Sequence, residues 1–131
     1  MRIMGIDPGY AIVGVGLVDY DNVRFSLVEY GAITTPAELP FETRLRQIYD
    51  DMVGLITQYR PDAVAMEQLF FTTNRTTAIA VAEARGVLLL AAEQQGVPVF
   101  NYTPLQVKSA VVGYGLSLIH ISEPTRRVVI S

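Results

Sequence analysis

The chain has 131 residues, of which 50% are hydrophobic and 18% charged, and its formal net charge is −3. This length fits one folded domain, and the high apolar content excludes an intrinsically disordered chain. The sequence contains no cysteine, which excludes disulfides and thiolate metal sites. Its longest uncharged apolar block, residues 86–92, is far shorter than the roughly 20 residues that a transmembrane helix needs. Because Asp7 also stands too close to the start for a signal peptide, we expect a soluble cytoplasmic domain without a membrane contact.

The charge distribution is unusual for a protein that binds nucleic acid. Residues 1–115 contain 12 acidic and 8 basic residues, and Lys108 is the only lysine in the chain. Nucleic-acid-binding proteins usually present a basic face to the phosphates. Binding to DNA would therefore require a local basic patch, a bound cation, or basic residues from a part that this sequence lacks.

The first third of the chain predicts three strands in an antiparallel meander. Turn residues separate three apolar runs, which cover residues 2–7, 12–18 and 23–33. Short turns join strands that run antiparallel. Three glycines inside these runs indicate close approach to the backbone: Gly5, Gly14 and Gly16.

The pattern then changes to helices that alternate with strands. Apolar residues recur at steps of three and four up to Tyr59, which predicts an amphipathic helix with Pro40 in its first turn and Pro61 beyond its end. A buried strand follows at residues 63–67, and we expect it to be parallel to the first strand because a helix connects them. A second helix is predicted over residues 75–95. Its alanines and a glycine at position 86 indicate that something packs closely against it.

The last predicted elements complete an α/β domain. Gly96 closes the second helix, residues 97–102 form a fifth strand, and Thr103-Pro104 opens a short third helix. The order βββ-α-β-α-β-α predicts a mixed five-stranded sheet, three strands antiparallel and two parallel, flanked by helices.

Two carboxylates stand at the ends of predicted strands. Asp7 ends the first strand and Glu67 ends the fourth, so parallel neighbours would bring both to one edge of the sheet, where such folds bind ligands. Carboxylate oxygens suit Mg²⁺, and a pair of such ions can activate water in phosphodiester hydrolysis. Each residue also has a purely structural interpretation. Asp7 could be a turn aspartate whose side chain accepts hydrogen bonds from the next backbone amides, and Glu67 could be a solvated carboxylate at the end of a strand. Their joint placement favours the metal site.

An aromatic and polar segment follows Glu67. Phe70 and Phe71 stand beside threonines, Asn74 and Arg75, a combination that can stack on bases and hold phosphates. A hydrophobic staple onto the second helix explains the phenylalanines equally well. Lys108 is either a phosphate contact or a solvated surface residue.

Five segments in order resemble one protein family. They are Gly5-Ile6-Asp7-Pro8-Gly9 with Gly14, Ala65-Met66-Glu67-Gln68-Leu69-Phe70, Ala84-Arg85-Gly86-Val87, Gln106-Val107-Lys108 and Val111-Val112-Gly113-Tyr114-Gly115. Together they closely resemble RuvC, the bacterial crossover junction endodeoxyribonucleases with a ribonuclease-H-like fold. The first segment alone would be weak, since actin-like kinases carry similar turns, but the five together are specific.

The resemblance implies a Mg²⁺-dependent homodimer that resolves four-way (Holliday) DNA junctions in recombination and repair, with two ions per active site. Asp7 and Glu67 match the catalytic, metal-binding carboxylates of that family. Phe70 matches an aromatic that engages junction bases, and Lys108 matches a lysine that contacts DNA. The second helix would lie at the dimer interface, which would explain its alanines and Gly86. The resemblance also implies that branch-migration proteins are partners of this chain.

The resemblance ends at residue 115. The family continues with basic residues and a final helix that carries two more metal-binding aspartates, whereas this sequence has no aspartate after Asp62. Residues 116–131 resemble translated sequencing adapter and include the only histidine, His120, which we do not expect to be catalytic. We therefore expect residues 1–115 to be a nuclease domain without its C-terminal catalytic helix, residues 116–131 to be an unrelated tail, and cleavage by the chain to be impaired.

Two other functions stay open at this point. The chain could be a ribonuclease-H-like nuclease that acts on another nucleic acid. It could also be a non-catalytic module for junction binding or dimerisation, because two expected metal ligands are missing. An actin-like ATP-binding function would need a second aspartate-glycine phosphate motif, and the sequence contains none.

Overall fold

The computed structural model describes residues 1–9, 11–68 and 75–102. The elements of this part are β1 (Arg2–Asp7), β2 (Ile12–Tyr20), β3 (Phe25–Thr34), α1 (Phe41–Tyr59), β4 (Ala63–Glu67), α2 (Arg75–Gln94) and β5 (Val99–Tyr102). Their order confirms the predicted βββ-α-β-α-β succession. The third helix predicted from Thr103 and the tail at residues 116–131 lie outside the described residues.

The five strands form one mixed sheet in the order β3-β2-β1-β4-β5. The meander strands pair antiparallel, as expected for strands joined by short turns. β4 pairs parallel with β1, and β5 pairs parallel with β4, because a helix returns the chain to the same end of the sheet before each of them. This is the predicted sheet, and it places β1 at its centre.

Both helices pack on one face of this sheet. Alternate residues of the central strands point toward them and are buried, among them Met4 and Ile6 of β1 and Val64 and Met66 of β4. The helices contribute residues spaced three or four apart to the same core: Ile48, Met52, Leu55 and Ile56 from α1, and Ala84, Leu88, Ala91 and Ala92 from α2. Among the described residues, no helix is long and apolar enough to cross a bilayer.

Two predicted boundaries are displaced for local reasons. β5 begins at Val99 rather than at residue 97, because the Val97 N–H caps α2 by donating to the Ala92 carbonyl (3.0 Å) and Pro98 has no N–H to donate. Pro40 does not lie in the first turn of α1 but just before it, and its carbonyl accepts the N–H of Arg44 at 3.1 Å. Neither change alters the topology.

The turn between β1 and β2 requires a glycine at position 9. A Cβ atom built on Gly9 would lie 2.2 Å from the carbonyl oxygen of Ile12 and 3.3 Å from its carbon. No side chain fits at such distances, so any other residue would open the turn. The tight turn brings β2 back alongside β1 directly after Asp7.

Arg2 ties three elements together at the other end of β1. Its Nε and Nη2 donate to the two carboxylate oxygens of Asp19 on β2 (2.9 and 3.1 Å), and its Nη1 donates to the Tyr59 carbonyl at the end of α1 (3.0 Å). Its backbone N–H donates to the Asp62 carboxylate (2.8 Å), and its carbonyl accepts the Asp62 N–H (2.7 Å). The hydrogen bond from Arg2 lowers the pKa of Asp19 below its ordinary value.

We expect Asp19→Asn to lower the free energy of unfolding at neutral pH by about 0.2–1 kcal/mol, the range for a partly exposed ion pair. Since the pKa of Asp19 is lowered by folding, its ionised form stabilises the fold above the unfolded-state pKa of about 3.9. This contribution is lost as the pH falls through the lower folded-state pKa. Urea denaturation of wild type and variant should show the largest difference at neutral pH. A difference that persists unchanged in strong acid would contradict the ion pair.

Candidate active site

Asp7 and Glu67 lie side by side at one edge of the sheet. The parallel pairing of β1 with β4 runs from Ile3 and Ala63 to Ile6 and Met66, so each carboxylate comes one residue after the last pair. Neighbouring strands lie about 4.7–4.9 Å apart, which makes the two residues lateral neighbours. The predicted topology of this edge is confirmed, whereas a catalytic role of the two residues stays a prediction.

The two carboxylates lie on the face of the sheet that the helices leave open. Ile6 and Met66 point into the core and are 3% and 0% exposed. Successive side chains of a strand point to opposite faces, so Asp7 and Glu67 turn away from the helices. Asp7 is exposed and Glu67 is half-buried. Water and ions can therefore reach the pair.

Small residues surround Asp7 on this open face. Gly14 pairs with Asp7 across β1 and β2, and Gly5, two residues before Asp7, pairs with Gly16 on one side and Ala65 on the other. Close backbone approach was predicted at the glycines. At Gly14 a Cβ would lie 3.3 Å from the Cβ of Asp7, so the close neighbour there is a side chain, and the nearest backbone atom is 3.9 Å away. At Gly5 the nearest atom is a backbone oxygen at an ordinary 3.8 Å.

The donor chemistry of this pair fits a hydrated divalent cation. Within residues 1–9, 11–68 and 75–102, no group of three or more His, Cys, Asp or Glu side chains is placed to hold a metal. Two carboxylates are nevertheless a sufficient protein contribution for Mg²⁺, which keeps several waters and commonly takes one or two carboxylates beside substrate phosphates. A metal here would thus be held by Asp7 and Glu67.

The predicted DNA contacts fall mostly outside the described part of the chain. Phe70, Asn74 and Lys108 lie outside the described residues. Arg75 is the first residue of α2. Gln68, the residue after Glu67, donates its N–H to the Tyr102 carbonyl of β5 (2.6 Å).

Arg85, which belongs to one of the segments that carry the resemblance but was assigned no role, lies near the same edge. Arg85 of α2 donates from Nη2 to the side-chain oxygen of Asn101 on β5. Asn101 precedes Tyr102, the residue that pairs with Glu67. The Nε of Arg85 is buried and has no hydrogen-bond partner within the described part of the chain. Arg85 therefore brings a positive charge to the end of β5, a role that no spacing rule would have indicated.

The outward face of α2 carries two exposed apolar side chains beside the exposed Glu83. Ile79 and Leu90 are 58% and 51% exposed, and Gly86 lies between them on the same side of the helix. We expected something to pack closely against Gly86, but a Cβ built there meets no atom within 4 Å. Among the described residues, therefore, nothing packs closely against Gly86.

Comparison with known proteins identifies the family. The family model described as crossover junction endodeoxyribonuclease RuvC matches residues 3–118. The chain belongs to the RuvC family. The curated RuvC of Brevibacillus brevis is 56% identical over 115 residues, which are 88% of this chain and 69% of that protein. The RuvC of Ruminiclostridium cellulolyticum is 52% identical over 115 residues, which again cover 88% of this chain and 69% of that protein.

A solved structure of the RuvC family has the same fold. T. thermophilus RuvC in complex with a Holliday junction substrate superposes with a TM-score of 0.79 and is 30% identical, covering 98% of this chain and 84% of that one. The ribonuclease-H-like fold predicted from the sequence is thereby confirmed. RuvC proteins form a family of metal-dependent nucleases.

For this RuvC chain we expect Mn²⁺ to bind at the edge formed by Asp7 and Glu67. Titration of the ¹⁵N-labelled chain with Mn²⁺ should broaden the amide signals next to these two residues first. Asp7→Asn and Glu67→Gln should each weaken binding by about tenfold or more, since even residues that only support metal ligands cost that much. Glu93→Gln, an exposed glutamate at the end of α2, is the matched control and should bind Mn²⁺ as the wild type does. Broadening centred elsewhere would contradict the assignment.

Proposed function

We propose that this chain is a structure-specific DNA endonuclease that resolves four-way (Holliday) junctions in recombination and repair by metal-dependent phosphodiester hydrolysis. The observation that carries the proposal is the pair of carboxylates, Asp7 and Glu67, at the carboxyl ends of neighbouring parallel strands in a RuvC-family chain. The T. thermophilus relative supports the substrate, because its structure contains a Holliday junction.

In this proposal Asp7 and Glu67 are the catalytic residues and hold Mg²⁺, with two ions in the complete active site. The bound ions supply an activated water and stabilise the leaving oxygen. The protein holds the two carboxylates in place, because each stands at the end of its strand, directly after a residue that is buried in the core. The small residues around Asp7 leave space on the open face for a DNA backbone to approach the pair.

The proposed DNA contacts are Phe70, Asn74, Arg75 and Lys108. The acidic balance of residues 1–115 makes binding through a broad basic surface implausible, so a few local contacts have to hold the junction. The position of Arg75 supports a phosphate contact. It begins α2, whose first turn carries no acidic residue, and helix N-termini attract phosphate.

We propose that the functional unit is a homodimer formed through the outward face of α2. A four-way junction is cut by paired nicks, which two symmetric active sites can make together. The apolar side chains of Ile79 and Leu90 are exposed on this face, and Gly86 between them would let a second helix come close. We further propose that the protein acts in the cytoplasm with branch-migration proteins as partners, as the family resemblance implies.

We also propose that the nuclease domain in this chain is residues 1–115 and that residues 116–131 do not belong to it. The curated relatives align over 115 residues, and residues 116–131 contain no aspartate. If the missing family aspartates complete the metal site, the chain would bind junctions better than it cleaves them. The two-carboxylate site makes non-catalytic junction binding the second candidate function.

Nicking of a synthetic four-way junction, scored on a denaturing gel, tests these proposals. We expect little Mg²⁺-dependent cleavage by the 131-residue chain. Fusing the C-terminal segment of the Brevibacillus brevis relative after Gly115 should restore it. Asp7→Asn or Glu67→Gln should then lower the restored rate by about 100-fold or more.

Three outcomes would contradict these proposals separately. Robust symmetric cleavage by the unfused chain would refute the incomplete site. Restored cleavage that survives Asp7→Asn would refute the catalytic assignment. Tight junction binding by the fused protein without any nicking would favour the non-catalytic function.

The dimer proposal predicts different effects of the same substitution at two exposed helix glycines. Gly86→Arg should raise the dimer dissociation constant by about tenfold or more, because the two-fold axis would bring like charges together. Gly54→Arg on α1 is the matched control, since a Cβ at either glycine meets no atom within 4 Å. Sedimentation analysis should show a monomer for the first variant and a dimer for the second. Equal behaviour of both variants would exclude α2 as the interface.

A further inference from the structure

The side chain of Asp7 lies over Gly14 of the neighbouring strand. A Cβ built on Gly14 would be 3.3 Å from the Cβ of Asp7 and 3.9 Å from its Oδ2. Directly opposed residues of antiparallel strands normally have their Cβ atoms about 4.5–5.5 Å apart. The Cβ of Asp7 thus crowds the position that the Cβ of any side chain at position 14 would take, and the carboxylate lies in contact with that position.

We propose that Gly14 is a positioning residue for Asp7: the missing side chain at position 14 sets where the Asp7 carboxylate stands and thereby how tightly the site holds a divalent cation. The inference rests on the proposed function, which makes Asp7 a metal ligand. It assigns a role to a residue that would not itself touch metal or DNA.

The backbone of Asp7 has little freedom to escape a crowded neighbour. The residue before it, Ile6, is buried and pairs with strands on both sides. The turn after it is closed by Gly9, which admits no side chain beside Ile12. A methyl group at position 14 would therefore have to push the Asp7 Cβ, together with the backbone that carries it, by a few tenths of an ångström. The carboxylate oxygens lie two bonds farther out, so a tilt of the Cα–Cβ bond moves them more. Metal ligation tolerates about 0.2 Å.

Gly5 provides a matched comparison. It lies on β1, on the same open face and two residues before Asp7, and it also has a glycine opposite it. A Cβ at Gly5 would be 3.8 Å from the nearest atom, the Gly16 carbonyl oxygen, which is ordinary contact. The same glycine-to-alanine change is therefore crowded at position 14 and accommodated at position 5.

Mn²⁺ binding to the full chain, followed by NMR line broadening with circular dichroism to verify folding, tests the inference. Gly14→Ala should lower the Mn²⁺ affinity by about tenfold, as expected for loss of support to a metal ligand, and Gly5→Ala by less than about twofold. Wild-type affinity in folded Gly14→Ala would overturn the inference. If Asp7→Asn also keeps wild-type affinity, the failure belongs to the proposed role of Asp7 and not to Gly14 alone.

A stability comparison covers the case in which Gly14→Ala folds poorly. Asp7→Gly removes the Cβ that an alanine at position 14 would meet. We therefore expect Gly14→Ala to lower the melting temperature in the wild-type background and to have little effect in the Asp7→Gly background. An equal loss in both backgrounds would overturn the inference, because the crowding would then not involve Asp7.

Discussion

The register between β1 and β4 is the constraint on which the candidate site depends. Met4 and Ile6 of β1 lie beside Val64 and Met66 of β4, and all four are buried under the helices. A shift of one residue would turn these apolar side chains outward and drive a carboxylate into the core. Fully burying one such side chain stabilises the fold by about 1.5–3 kcal/mol, and burying an unpaired charge costs more than that. The packing of the core therefore fixes both carboxylates on the open face.

Different interactions hold the two ends of β1. At the amino end, Arg2 binds Asp19, Asp62 and the end of α1, so this end is held by charged and backbone hydrogen bonds. At the carboxyl end, the described residues position Asp7 through the tight turn at Gly9, the pairing with neighbouring strands and the burial of Ile6. The charged hydrogen bonds of Arg2 thus lie about one strand length away from the candidate chemistry.

Local patterns were sufficient to predict the elements and the placement of the two carboxylates at strand ends, because periodicity, turns and strand ends are properties of neighbouring residues. Local patterns were insufficient for features that depend on contacts between segments far apart in the sequence. The start of β5 depends on a bond from Val97 back to α2, and the contact between Arg85 and Asn101 depends on how α2 lies over β5. Gly5 and Gly14 look alike in the sequence, yet only Gly14 has a carboxylate lying over it. Strand pairing, and not composition, distinguishes them.

The edge of the sheet that carries Asp7 and Glu67 also suggests how an acidic chain could bind its proposed substrate, DNA. Two neighbouring carboxylates on an open face repel a phosphodiester, so in the absence of a cation the proposed site opposes the approach of DNA. A divalent cation held by Asp7 and Glu67 would cancel their charge, and a second one, as proposed for the complete site, would make the site attractive to phosphate. In the proposed function, metal binding and DNA binding at this edge are therefore coupled, and each should strengthen the other by the same factor. If the proposed function holds, a site built on two strand-end carboxylates would make this acidic domain dependent on its metal for binding DNA at the cleavage position as well as for hydrolysis.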